Sequence, residues 1–232
     1  GNIPTFILIT ESRVSDVSFL DDLPLEAGSF YVMDRGYVHF ARLLRFTHAG
    51  AFFVTRAKNK MRYQVASALA PSDDAAVLKD ECIFLTGQFT HKTYPHVLRR
   101  IEFFDQTQQR EFVFVTNNFE LDATQIAALY KSRWQVELFF KWIKQHLRIK
   151  SFVGNSVNAV KTQIWIAVST YVLVAIIKKR LQIEASLHSM LQVLSLTLFE
   201  TTSLADLLKA IEPELNDQET LQMGLFEEIS GH

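Results

Sequence analysis

The chain has 232 residues, of which 48% are hydrophobic, 12% aromatic and 21% charged. That is the make-up of an ordinary folded protein, and it excludes disordered, collagen-like and disulfide-stapled classes. Its one cysteine, Cys82, excludes an internal disulfide and a cysteine-rich zinc site, and fits a reducing, cytoplasmic setting.

Charge is unevenly spread. The net charge is −1, yet residues 34–62 sum to +6 and residues 131–184 to +8, while residues 185–232 sum to −7. Two basic blocks in a neutral chain point to a local anion-binding surface, although Lys- and Arg-rich solvated helix faces give the same count. The N-terminus lacks the basic stretch, apolar run and small-residue site of a secretory signal, so none is expected.

From the start of the chain, Pro4 to Thr10 is an apolar, β-branched run that predicts a buried strand. Ser15 is placed to cap a short helix ending near Pro24. Ser29 to Met33 predicts another strand, ending on Asp34. Tyr37, Phe40, Ala41 and Leu44 then follow helix-face spacing, with Gly50 as the stop, before a third strand at Ala51 to Thr55. Strand, helix, strand predicts a crossover and a partly parallel sheet, hence an α/β fold.

Residues 57–118 change character. Short β-like runs, Cys82 to Leu85 and Phe112 to Val115, alternate with polar turns and predict a β-rich insertion. One long helix is expected from about 123 to 147 and a second from about 157 to 181. The centre of the second, Ile164 to Ile177, is nearly all apolar, but its fourteen residues fall short of the roughly 20 a bilayer needs. A buried core helix is expected, with no membrane partner. Trp134, Trp142 and Trp165 are assigned to core. Residues 185–232 read as an acidic C-terminal helical segment.

On the helix of 123–147, Tyr130, Arg133, Glu137, Lys141, Lys144 and Arg148 fall on one stripe, at spacings of 3, 4, 4, 3 and 4. Intrahelical pairing of Glu137 with Arg133 and Lys141 accounts for part of this. Four cations around one acid exceed what pairing requires and suit phosphate. Arg56 and Lys58, just past a strand end inside the first basic block, are further candidates for DNA contact. The seven histidines show no ligand spacing, and no glycine-rich phosphate loop is present.

Tyr130, Arg133, Glu137 and Lys144, in that order and spacing, resemble the signature of the DDE transposases of the insertion-sequence-four group. Tyr31 to Tyr37, with Asp34 at its centre, resembles that group's strand bearing the second catalytic aspartate. Ala51 to Lys58 resembles the strand that follows, and the likeness runs from about residue 3 to at least 181. It implies a ribonuclease H-like mixed sheet with flanking helices and a β-rich insertion before the Glu-bearing helix. The parts would be 1–56 as partial core, 57–118 as insertion, 119–184 as core helices and 185–232 as the acidic segment.

By the same resemblance, Asp34 and Glu137 are catalytic metal ligands, two members of a three-carboxylate site holding two Mg²⁺ or Mn²⁺ ions at a scissile phosphodiester. Tyr130, Arg133 and Lys144 contact the DNA end, with Lys141 and Arg148 on the same stripe. Phe89 or Tyr94 replaces a tryptophan that stacks on a flipped base in relatives. The partners are double-stranded DNA, as element ends and target, and a second copy on DNA, within the bacterial cytoplasm at the nucleoid. The strand at 4–10 carries no acid and resembles a later strand of the family, so the first aspartate is unplaced. The chain is therefore expected to be a C-terminal part, inactive alone. The alternative is a decayed remnant that only binds DNA or dimerises.

Overall fold

The computed structural model describes residues 16–69, 74–146 and 156–197, with positions 4, 9, 203, 206 and 208. The expected strand at 4–10, the cap Ser15, Arg148 and most of the acidic segment lie outside the described residues. The chain divides into two units, residues 10–134 and residues 1–9 with 135–232.

In the first unit, α1 (Phe19–Asp22) follows a 3-10 turn at Asp16–Ser18. Then come β1 (Phe30–Met33), a 3-10 turn at Arg35–Tyr37, α2 (Phe40–His48) and β2 (Phe52–Arg56). The chain continues through β3 (Tyr63–Ala68), β4 (Val77–Leu85), α3 (Thr90–Thr93), β5 (Leu98–Asp105), β6 (Arg110–Thr116) and α4 (Ala123–Lys131). All six strands form one sheet in the order β1-β2-β6-β5-β4-β3. β1 and β2 pair in parallel across the α2 crossover, as the strand–helix–strand order predicts, and the other pairings are antiparallel. The β-rich stretch thus adds its four strands to the same sheet.

The sheet is covered on both faces, and successive side chains divide between them. Met33, Phe53 and Val115 pack with Leu43 and Phe46 of α2, while Val54 and Phe114 pack with Ile126, Ala127 and Tyr130 of α4. Gly50 closes α2 with a φ of +68°, a conformation that disfavours a Cβ. Asn117 locks the end of β6 to the α2–β2 junction. Its Oδ1 accepts from the Phe53 N–H at 2.9 Å and its Nδ2 donates to Ala51 O at 2.9 Å and Thr47 Oγ1 at 3.1 Å.

Across β4 and β5, Arg99 grips Asp80 through two hydrogen bonds of 2.8 and 2.6 Å. Both side chains are almost fully buried. Beside them, Arg100 pairs with Glu81 and Glu102.

The expected helix of 123–147 is two helices, α4 and α5 (Trp134–His146). At the junction the Ser132 N–H is shared between Ala128 O and Leu129 O, and the Arg133 N–H bonds Tyr130 O, a switch to the tighter 3-10 pattern. The Ser132 hydroxyl donates to Leu129 O at 2.6 Å, so its carbonyl partner is satisfied locally. Neither Gly nor Pro marks this break.

In the second unit, α5 is followed by α6 (Val157–Leu181) and α7 (Leu187–Thr197). Ser156 caps α6, its Oγ accepting from the Ala159 N–H at 3.1 Å. Phe139, Trp142 and Ile143 of α5 pack on Ala167, Val168, Tyr171 and Ala175 of α6. α6 has 25 residues and is long and apolar enough to cross a membrane, with a mean hydropathy of 1.7 and 28% of its apolar window buried. The expectation of a buried core helix holds for one arc only. Trp165, expected in the core, is 46% exposed, because it lies off the arc set by Ala167, Val168, Tyr171, Val174 and Ala175.

Removing one partner of the Arg99–Asp80 pair strands a buried charge, at a cost of about 3–5 kcal/mol. Asp80→Ala should lower the unfolding free energy by that amount in urea titration, with an unchanged m value.

Candidate nucleic-acid and catalytic site

The parallel register puts two functional candidates side by side at one end of the sheet. Met33 pairs with Thr55, and one residue further along each strand stand Asp34 and Arg56. Asp34 turns the chain sharply: its Oδ1 accepts from the Gly36 N–H at 3.0 Å and caps the 3-10 turn. Its Oδ2 accepts no hydrogen bond from the described residues. The Arg56 guanidinium lies over the Phe112 ring, 5.1 Å from the centroid.

Tyr130, at the C-terminal end of α4, is buried with its ring centroid 5.0 Å from that of Phe114. The Arg133 guanidinium lies 5.5 Å from the Tyr130 ring and 5.6 Å from the Trp134 ring. Burial pushes the Tyr130 phenol above its ordinary 10.0, against the pull of Arg133; Asp34 adds to the rise and Arg56 opposes it. By contact, Arg133 lies over Tyr130, and by register Asp34 stands beside Arg56. Tyr130 therefore leaves the solvent-facing stripe: its ring anchors α4 to the sheet and supports Arg133 from below.

The remaining stripe residues belong to α5 in the second unit. Glu137 is in its first turn and half-buried, Lys141 is half-buried and Lys144 exposed. Spacings of four and three keep the three on one face, opposite Leu138, Phe139, Trp142 and Ile143. In the first unit, Lys58 Nζ donates to Val38 O at 2.8 Å, which ties the loop after β2 to the stretch leading into α2. Phe89 is 81% exposed and its ring is accessible. Tyr94 is 1% exposed, its hydroxyl 2.8 Å from Thr47 Oγ1, and is corrected from stacking candidate to core.

Asp34 suits a hard divalent cation by type, with one carboxylate oxygen uncommitted at a strand end. It does not make a metal site by itself, and among the described residues no three His, Cys, Asp or Glu side chains gather closely enough to hold an ion.

The sequence reading missed a cavity of about 360 Å³ between α4 and the β5–β6 hairpin, lined by Phe103, Phe112, Phe114, Tyr130, Lys131 and Trp134. Its signal was the alternation of phenylalanines at 112 and 114, which sends both rings to the α4 side of the sheet.

Burial also raises the phenols of Tyr94 and Tyr171. A raised folded-state pKa gives stability that is present below pH 10 and lost as pH rises through the shifted value. Unfolding free energy should therefore fall above about pH 10. Absorbance titration should show part of the tyrosine signal appearing only with the loss of the native circular dichroism.

Comparison with known proteins places this geometry. The family model described as Transposase DDE domain matches residues 1–173. A protein of Sinorhizobium fredii named as transposase y4zB is 37% identical over 180 residues, 76% of this chain and 50% of its own length. One of Geobacillus stearothermophilus, named as the transposase for insertion sequence element IS5377, is 34% identical over 61% of this chain and 37% of its own. One of Synechocystis, named for insertion sequence element IS4SA, is 26% identical over 63% and 40%. The matched stretches span half or less of each relative. With its six-stranded mixed sheet flanked by helices and its Asp34 at a strand end, the chain belongs to the DDE-domain transposases.

Proposed function

We propose that this chain forms part of the catalytic domain of a transposase that cuts DNA at the ends of a mobile element and joins the freed 3′-hydroxyls to target DNA. The observation that carries the reading is the register that sets Asp34 beside Arg56 where β1 ends, within a chain matched by the DDE-domain model. A carboxylate with an arginine beside it on the next strand is suited to a phosphodiester, whose oxygens Arg engages through its planar fork. Tyr130 acts by holding Arg133 in place.

In this reading Asp34 and Glu137 are two carboxylate ligands for Mg²⁺ or Mn²⁺, and the third comes from outside the described residues. Bound ions would supply the positive charge that activates the attacking oxygen and stabilises the leaving one. Lys141, Lys144 and Arg148 continue the phosphate contacts along and beyond α5, Arg56 and Lys58 do so at the end of β2, and Phe89 offers a ring to an unstacked base. Residues 57–118 serve as the family's β-rich insertion and 185–232 as an acidic appendage. The protein works as a homodimer on DNA at the bacterial nucleoid. The alternative is a remnant that binds DNA or dimerises without cutting.

The test uses a polypeptide spanning the full length of the matched relatives, with a DNA duplex carrying the element end. Asp34→Asn and Glu137→Gln should each abolish Mg²⁺-dependent cleavage while leaving end binding intact. Normal cleavage by either variant removes that residue from the active site, and an uncut substrate with the unmodified protein supports the remnant reading. Lys144→Ala should reduce the slope of log affinity against log salt by about one, measured by anisotropy of a labelled duplex.

A further inference from the structure

The sheet ends at β3, and residues Gln64 to Ala68 of that strand are all exposed. One side of β3 is bonded to β4, and no strand among the described residues pairs with the other. An edge strand offers its outward N–H and C=O groups as a template for a further strand. Folded chains guard such an edge with charge, proline, a bulge or a covering element. From Tyr63 to Leu69 there is no charged residue and no proline. The hairpin of β3 and β4 also carries three large exposed apolar side chains, Val65, Leu78 and Phe84. The opposite edge, β1, has only buried and half-buried side chains.

A bulge is the one guard present. The register passes from Val65–Ile83 to Ser67–Cys82, so Ala66 is an extra residue at the middle of the row. Short uncharged runs remain on either side of it, Tyr63 to Val65 and Ser67 to Leu69. Charges of opposite sign flank the row. Lys60 and Arg62, both exposed, come before it, and Asp73 and the exposed Asp74 come after it. Nearby charges of β4 are matched within the sheet: Lys79 with Glu102, Asp80 with Arg99 and Glu81 with Arg100. A strand that is basic before, neutral along and acidic after its length complements a copy of itself running antiparallel. Parallel pairing would set base against base and acid against acid.

We propose that β3 is the docking edge for a second copy of this chain, the two β3 strands pairing antiparallel about a two-fold axis beside Ala66. The two sheets then join into one, Val65 is covered, and the basic end of each strand lies near the acidic end of the other. Such a contact closes on itself, because each copy contributes the same patch. The proposal rests on the second copy in the reading above, gives it a surface, and needs no DNA.

The experiment is sedimentation velocity of the 232-residue chain without DNA over a wide range of protein concentration. A concentration-dependent dimer is expected. Val65→Lys, which charges the edge at an exposed position, should shift it to monomer with unchanged far-UV circular dichroism. Lys60→Glu/Arg62→Glu and Asp73→Lys/Asp74→Lys should each be monomeric alone and dimerise when mixed, since mixing restores opposite charges at both ends. That recovery also shows that both variants are folded. A chain that is monomeric at every concentration overturns the docking edge, and leaves the cleavage assigned to Asp34 and Glu137 to its own assay. A dimer that survives Val65→Lys and each charge variant alone overturns the edge while the homodimer stands. Charge variants that stay monomeric when mixed overturn the antiparallel pairing.

Discussion

A strand packed on both faces must send alternate side chains to different layers, and β2 meets that constraint with helices on either side. Phe53 faces α2, Val54 faces α4, and Thr55 is buried beside Met33. This alternation fixes the register of β1 against β2, because a slip of one residue would exchange the two faces of β1 at once. Once the register is fixed, Asp34, just past the end of β1, has to stand beside Arg56, the last residue of β2. The position of the candidate carboxylate is thus a consequence of packing several residues upstream, and the parallel crossover through α2 keeps both strand ends on the same side.

The same packing explains Tyr130. α4 reaches the sheet through Ile126, Ala127 and Tyr130, so the phenol at the end of that face is drawn into the core against Phe114. A buried ring can carry a cation on its face, and Arg133 occupies that place just beyond the helix end. Two residues of the linear motif, Tyr130 and Arg133, thus lie against each other, the ring in the core and the guanidinium over it. The spacing from Tyr130 to Arg133 fits this: residues three apart share a face, and the 3-10 bond from the Arg133 N–H to Tyr130 O keeps them close.

Much of the first unit was legible in the sequence. The runs at 29–33 and 51–55, the periodic stretch between them and Gly50 gave β1, α2 and β2, since burial on two faces demands continuous apolar residues and a left-handed stop favours glycine. β3 was not legible, because as an edge strand its residues Gln64 to Ala68 are exposed and need no apolar pattern. The break between α4 and α5 was hidden for a different reason: Ser132 keeps helical dihedrals, and a change of hydrogen-bond partner leaves no trace in hydrophobic period. Trp165 and Tyr94 were misassigned because size and aromaticity say that a ring will be half-buried somewhere, whereas its place on an arc decides whether the neighbour is protein or solvent.

Charge follows the same logic of placement over composition. A net charge of −1 conceals that four acids of the first unit are committed to particular arginines, Asp80, Glu81 and Glu102 within the sheet and Asp21 tying α1 to α2. Among the described residues, Arg56, Lys58, Lys60 and Arg62, at and just beyond the end of β2, make no ion pair. A buried ion pair returns little net stability once desolvation is counted, so the acids at 80, 81 and 102 do more to silence Arg99 and Arg100 electrostatically than to hold the sheet together. Paired acids and arginines thus sit within the sheet and between α1 and α2, while Arg56 stands beside Asp34 where β1 ends.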